Sequence, residues 1–239
     1  MLRTLGRMLG GLCFALSLST PAGAADSGKL VYFDLPESAR IFDQADAKAQ
    51  FWTLVRYFET QRMDTFCSVA SSTMVLNSLE VVSAIQQPLI YPYNAFNHET
   101  FFTPAVLKLQ RVRHFTDDGL TLTELADVLK TFGVSVDKYH ADSLSADQFR
   151  AVVVAALKSK DHYVIANFSR THLEQEGGGH FSPLAAYDAK SDRFLVLDTA
   201  RYKYPPWWVK TGDLWDAMNT VDADAKAKRG FLIIGRAGH

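Results

Sequence analysis

Apolar side chains recur along this chain with two different periods, and the change between them divides it. Through the first part the spacing is helical. Ala47, Phe51, Leu54, Val55 and Phe58 line one side of a helix predicted over 43–60. Val69, Ala70, Thr73, Met74 and Leu76, with small Ser68, Ser71 and Ser72 between them, predict a second helix over 67–82. Thr103 and Pro104 open a third, since threonine can cap and proline suits a first turn. The pattern Thr121-Leu-Thr-Glu124 is a capping box, and Gly133 closes the helix predicted over 120–132. Phe149, Val152, Val153 and Leu157 face inward from a helix over 145–158.

Farther along, the runs become short and strand-like. Residues 163–168, 180–187, 194–198 and 231–235 are apolar stretches joined by turn residues, with a short helix predicted over 211–218. The alternating segment 134–140 is an earlier strand, and 29–35 reads as a short strand or extended lead-in before Pro36. Between helices, 86–102 is an aromatic-rich loop without a steady period. The implied class is α+β, with a helical first half and an antiparallel sheet in the second half.

The first residues stand outside this pattern. Arg3 and Arg7, the apolar run 8–19 and Ala22-Gly23-Ala24 follow the order of a secretory signal peptide. The run is shorter than the roughly 20 residues of a membrane span. Cleavage after Ala24 is therefore expected, giving a signal peptide over 1–24, a single domain over 25–239, and an exported periplasmic or extracellular protein. An uncleaved anchor is the alternative. A net charge of −1 with scattered basic residues argues against nucleic acid or a membrane surface as partner once the signal is removed. The charged stretch 222–229 reads as flexible. Self-association into a homodimer is left open.

Removing the signal also removes Cys13, leaving Cys67 alone of the 2 cysteines. Exported proteins usually pair their cysteines, so Cys67 is either a small buried hydrophobe or a reactive thiol. Its neighbours favour reactivity. Cys67 opens a predicted helix, where unpaired backbone N–H groups and the helix dipole stabilise thiolate over thiol. His180 follows the triple glycine 177–179 and begins a predicted strand, while Asp198 ends the next one. A carboxylate there can hold one imidazole nitrogen and leave the other for the thiol. Gln61, ahead of the cysteine, offers an amide donor to an oxyanion. This order, Gln, Cys, His, Asp, is that of papain-like cysteine peptidases.

Other polar residues are given smaller roles. His98, His114, His140, His162 and His172 lack metal-ligand spacing and read as surface or loop residues. Asp117-Asp118-Gly119 reads as a turn, and Ser71 and Ser72 as packing residues. Trp207 and Trp208 either wall a cleft or close the core.

Longer blocks carry a more specific resemblance. QRMDTFCSVASSTMVLNSL (61–79), the stretch 177–220 containing GGGHFSP and RYKYPPWWV, and KRGFLII (228–234) resemble the catalytic domain of phytochelatin synthases. That resemblance implies a papain-like fold and a glutathione γ-glutamylcysteine dipeptidyltransferase with Cys67, His180 and Asp198 as its triad. Gln61 would match the oxyanion donor, and Asp222 and Arg229 the residues that recognise the γ-glutamyl end. An arginine fork suits an α-carboxylate, and an aspartate suits an α-ammonium. No cofactor or protein-bound metal is implied; heavy-metal ions would act bound as thiolates with the substrate. Ser68 departs from the family, which has glycine there. The chain ends at His239 without the cysteine-rich extension of plant members, so the expectation is the short type, acting largely as a hydrolase with weak metal activation. The rival readings are a general papain-like peptidase and a non-enzymatic thiol- or metal-binding protein of the cell envelope.

Overall fold

One helix, Cys67–Ser78, runs through the interior with all of its residues buried. The computed structural model describes residues 28–83 and 94–237. The expected signal peptide and its cleavage site, and the part of the 86–102 loop up to residue 93, lie outside the described residues.

The chain begins with strand β1 (Leu30–Tyr32), followed by helices α1 (Pro36–Gln44), α2 (Phe51–Arg56) and α3 (Cys67–Ser78). Helices α4 (Pro104–Leu109), α5 (Val112–Asp117) and α6 (Leu122–Lys130) lead into β2 (Val134–His140) and α7 (Ala146–Lys158). Then come β3 (His162–Ser169), β4 (Gly179–Asp188), β5 (Arg193–Val196), β6 (Trp207–Lys210) and α8 (Thr211–Met218). A small hairpin, β7 (Val221–Asp222) and β8 (Ala227–Lys228), precedes the last strand, β9 (Gly230–Arg236). Seven strands form one antiparallel sheet in the order β1-β6-β5-β4-β3-β9-β2.

Strand alternation assigns the two faces. Ile165, Phe181, Leu195, Trp208, Leu232 and Ile234 point into a core shared with α3 and α6. Their neighbours Val164, Phe168, Phe194, Trp207, Phe231 and Ile233 point the other way, under α7 and α8. With helices on both faces, the central strands β3, β4 and β5 are buried on both sides, edge strand β2 stays largely open to solvent, and α3 lies against β4. This is the α+β, papain-like arrangement expected, with β1, from the first half, at one sheet edge and β2 at the other.

Caps fix several helices as predicted. Thr103 Oγ1 accepts from the Val106 N–H, and the Thr121–Glu124 capping box is complete. Two expectations change, and one open alternative is decided. The helix expected over 43–60 is broken, because Ala47 forms an isolated antiparallel bridge with Tyr187 of β4. Ala47 donates to and accepts from Tyr187 at 3.2 and 2.7 Å, which holds the linker extended between α1 and α2. The tryptophan pair forms β6, and both rings are buried, so Trp207 and Trp208 belong to the core. The charged 222–229 stretch is the β7–β8 hairpin and the turn into β9.

Candidate active site

Cys67 is the first residue of α3, whose N-terminus carries no side-chain cap. The first N–H groups of a helix have no partner within it, so an uncapped start leaves them available to an anion. Opposite lies β4, whose second residue is His180. Its imidazole hydrogen-bonds the Cys67 thiol, and the backbone N–H of Phe181 donates to the same sulfur. Burial alone would raise the thiol pKa, but the hydrogen bond and charge of His180, with Phe181 and Arg170, outweigh it and hold Cys67 below the usual thiol range. Burial likewise disfavours a charged His180, and the facing Asp198 and Cys67 reverse this and raise its pKa. The favoured state is a thiolate–imidazolium pair.

Asp198 stands two residues beyond the end of β5, not on the strand as expected, and is fully buried. Its Oδ1 is 3.0 Å from His180 Nε2, which leaves Nδ1 for the sulfur. Ser182 Oγ lies 2.9 Å from the same Nε2. Arg170 grips the carboxylate with two parallel bonds, Nη1 to Oδ2 at 2.9 Å and Nη2 to Oδ1 at 2.8 Å. Trp207 Nε1 and the Ala200 N–H each donate at 2.9 Å. Although burial opposes its charge, His180 and Arg170 hold the Asp198 carboxyl far below the ordinary carboxylate range. A buried carboxylate with these partners stays ionised and cannot rotate, so it fixes the plane of the imidazole.

Gln61 joins this group from the loop before α3. Its backbone N–H donates to Thr199 O, and its Oε1 accepts from Thr199 Oγ1 at 3.1 Å. Its amide nitrogen donates to Met63 O at 2.9 Å and Asp64 O at 3.1 Å, within its own loop. Gln61 lines a cavity of about 230 Å³ together with Arg170, His180, Tyr202 and Lys203.

Cys67 itself opens onto another cavity of about 160 Å³, which also holds Asn167, Asp222 and Arg229. The sequence-expected recognition residues therefore share a cavity with the thiol. Arg229 sits between β8 and β9; its Nη1 donates to Val221 O and Thr220 Oγ1, and its Nη2 stands 3.7 Å from Asp222. Arg229 Nε and Asn167 Oδ1 are buried and find no hydrogen-bond partner among the described residues. The triple glycine serves this wall: a Cβ on Gly179 would lie 3.0 Å from Arg229 Nη2, so a side chain there would displace the guanidinium. A larger hollow of about 440 Å³ near Arg56 and Asn77 holds no cysteine or histidine.

Sequence reasoning missed or misread four residues around the site. Arg170 follows β3 as a lone arginine after an apolar run, and its partner Asp198 could be found only in space. Ser182 lay inside the quoted GGGHFSP block without a role. His114 and His98 were read as surface or loop residues, yet His98 is buried, 2.6 Å from Glu59 and stacked on Phe66. His114 bridges Asp118 and Glu124 at the rim of the Cys67 cavity. Among the described residues no group of three or more His, Cys, Asp or Glu side chains could hold a metal ion, and no helix is long and apolar enough to cross a membrane.

A buried helix that opens on a cysteine, packed against an antiparallel sheet that presents a histidine held by an acid, defines the papain-like class of thiol-nucleophile proteins. Within that class, the family profile described as phytochelatin synthase matches residues 26–231. The chain belongs to the phytochelatin synthase family. Glutathione gamma-glutamylcysteinyltransferase 2 of Arabidopsis thaliana is 34% identical over 223 residues, covering 92% of this chain and 46% of its own. Glutathione gamma-glutamylcysteinyltransferase 1 of Lotus japonicus is 34% identical over 230 residues, 95% of this chain and 43% of its own. The Schizosaccharomyces pombe protein named glutathione gamma-glutamylcysteinyltransferase is 26% identical over 184 residues, 77% of this chain and 43% of its own. The chain thus spans less than half the length of these curated relatives.

Proposed function

We propose that the protein is a glutathione γ-glutamylcysteine dipeptidyltransferase. It cleaves the Cys–Gly bond of glutathione, releases glycine, and passes γ-glutamylcysteine to water or to a second glutathione. The observation that carries this reading is the buried Cys67–His180–Asp198 contact opening onto the cavity that Arg229 lines. The first supplies a nucleophile; the second supplies a receptor for a carboxylate.

The Cys67 thiolate attacks the cysteinyl carbonyl carbon, and the π electrons move onto oxygen. The N–H groups at the start of α3 and the Gln61 amide stabilise that oxyanion. Gln61 takes the role by turning one N–H from the Met63 or Asp64 carbonyl toward the new charge. As the C–N bond breaks, the His180 imidazolium gives its proton to the departing glycine amine. A γ-glutamylcysteinyl thioester remains on Cys67. His180, now neutral, takes a proton from water or from the amine of a second glutathione as that group attacks the thioester, and the thiolate leaves. Asp198 keeps the imidazole oriented through both steps. Arg229 takes the α-carboxylate of the glutamyl end and Asp222 its α-ammonium, replacing the contact these side chains now make with each other. No metal ion is required for these steps; any stimulation by heavy-metal ions would come from ions bound as thiolates with the substrate.

Incubation with glutathione under reducing conditions, with glycine and (γ-Glu-Cys)n-Gly products followed by mass spectrometry, tests the reading. Glycine release is expected, and Cys67→Ala abolishes it; undiminished release in that variant overturns the mechanism. Longer γ-glutamylcysteine peptides mark transfer, and free γ-glutamylcysteine marks hydrolysis. Export with cleavage after Ala24 is part of the same proposal, supported by Arg3, Arg7, the apolar 8–19 run and Ala22-Gly23-Ala24. N-terminal sequencing of protein recovered outside the cytoplasm should begin at Ala25; a chain that retains Met1 contradicts it.

A further inference from the structure

The charges around the Cys67 cavity are unbalanced beyond the Asp222 and Arg229 pair that the proposed chemistry uses. Five carboxylates line it: Asp64 before α3, Asp118 after α5, Glu124 on α6, and Asp222 and Asp224 of the β7–β8 hairpin. Two basic side chains face them, Arg229 and His114. Glutathione carries two carboxylates against one ammonium, so such a cavity repels it unless its acids are neutralised.

His114 occupies the position that neutralises two of them. Its Nδ1 lies 3.1 Å from Asp118 Oδ2 on the same helical end, and its Nε2 lies 3.1 Å from Glu124 Oε1 on α6. When both ring nitrogens carry protons, each donates to a carboxylate; a neutral ring leaves one acid facing a lone pair. Glu124 also accepts from the Thr121 N–H and hydroxyl and from Gln110 Nε2, so the imidazolium ties α5 to the capping box of α6. That corner in turn rests on the loop before Cys67, since Thr65 Oγ1 donates to Thr116 O at 3.1 Å. On its solvent side His114 shares a groove with Arg111, Arg113 and Asp117, of which Arg113 is committed to Asp117 at 3.0 Å.

We propose that His114 is the second cation of the Cys67 cavity, a positioning residue whose protonation sets the affinity for the anionic acyl donor. The inference rests on the reading of that cavity as the glutathione site. Because both ring nitrogens are engaged, His114 contributes charge and the placement of the α5–α6 corner, and makes no hydrogen bond to the ligand. Burial alone would lower its pKa, but the Asp118 hydrogen bond and Glu124 outweigh it and raise it. The sign follows: the imidazolium is fully present below about 6.5, the free histidine value, and is lost as pH rises through the raised value. Binding and protonation are reciprocal, so bound glutathione raises the His114 pKa further.

The test measures glutathione binding by calorimetry from pH 5.5 to 9 on the full chain carrying Cys67→Ala, which cannot react. Affinity should fall about fivefold or more from pH 6 to 8.5. Adding His114→Gln should give the weak, high-pH affinity at every pH, and His114→Lys should keep the tight affinity throughout. Titration of the ligand's own groups is common to all three proteins and cancels in the comparison. If His114→Gln fails to fold, the pH step in the parent and its absence in His114→Lys decide. A parent affinity without a step, or His114→Gln binding like the parent at every pH, overturns the proposal. If the parent binds no glutathione at any pH and the wild-type chain releases no glycine, the glutathione reading falls and this inference with it. Binding without a pH step rejects His114 alone.

Discussion

On one side of Cys67, around Asp198, charges are buried and fixed; on the other, around Arg229, they are nearer the surface and loosely paired. Asp198 is fully buried and takes five contacts of 2.8–3.0 Å, from Arg170, His180, Trp207 and Ala200. Arg229 and Asp222 keep 12% and 13% of their side-chain surface exposed and stand 3.7 Å apart. The difference matches the work proposed for each. Covalent chemistry needs an imidazole held in one orientation through several steps, so its supports must be over-determined. Recognition needs contacts that a ligand can replace, and a loose ion pair is replaced at little cost.

Mutations can break that contrast. The largest effect is expected from Arg170→Met, which leaves Asp198 buried without its counter-ion. Removing one partner of a buried pair costs about 3–5 kcal/mol, so thermal unfolding should move down by roughly 10 °C and glycine release should collapse with it. A variant as stable and active as the parent would show that Asp198 does not depend on Arg170. Arg229→Ala should behave oppositely. Losing a charge-assisted contact to the glutamyl carboxylate should raise KM roughly ten- to a hundredfold, with little change in melting temperature. An unchanged KM removes Arg229 from the site.

The smallest effect on activity is expected from Trp207→Phe, which keeps an aromatic side chain, smaller than the indole, and deletes one donor to Asp198. The wild-type pH profile of kcat/KM should be bell-shaped, rising as the low-pKa thiolate forms and falling as the raised His180 pKa is passed. With one fewer donor, Asp198 attracts the His180 proton more strongly. The basic limb should therefore move upward, by a fraction of a unit, with stability lowered by about 1 kcal/mol. A basic limb that moves down, or does not move, separates Trp207 from the charge balance of the site.

Much of the fold was legible because its signals are local. Thr103, the Thr121–Glu124 box and the inward stripe of α7 act within a few residues of where they stand, and those helices appear where expected. The continuous helix over 43–60 failed for the opposite reason: Tyr187, far along the chain, bridges Ala47 and holds the linker extended. β6 was missed for a related reason, because whether a tryptophan pair lines a cleft or a core depends on which strand lies beside it. Here β1 and β5 flank it.

For the site, residue chemistry and order were enough to single out Cys67, His180, Asp198 and Gln61 as candidates, since few side chains can act as nucleophile, base, orienting acid and amide donor. The long blocks around them pointed to the family. Only the tertiary structure decided that Arg170 neutralises Asp198, that Trp207 reaches the same carboxylate, and that His114 braces two acids beside the thiol. Ion pairs act through space and leave no period or spacing in the chain. An arginine after one strand and an aspartate after another become partners only when the sheet brings those two ends together.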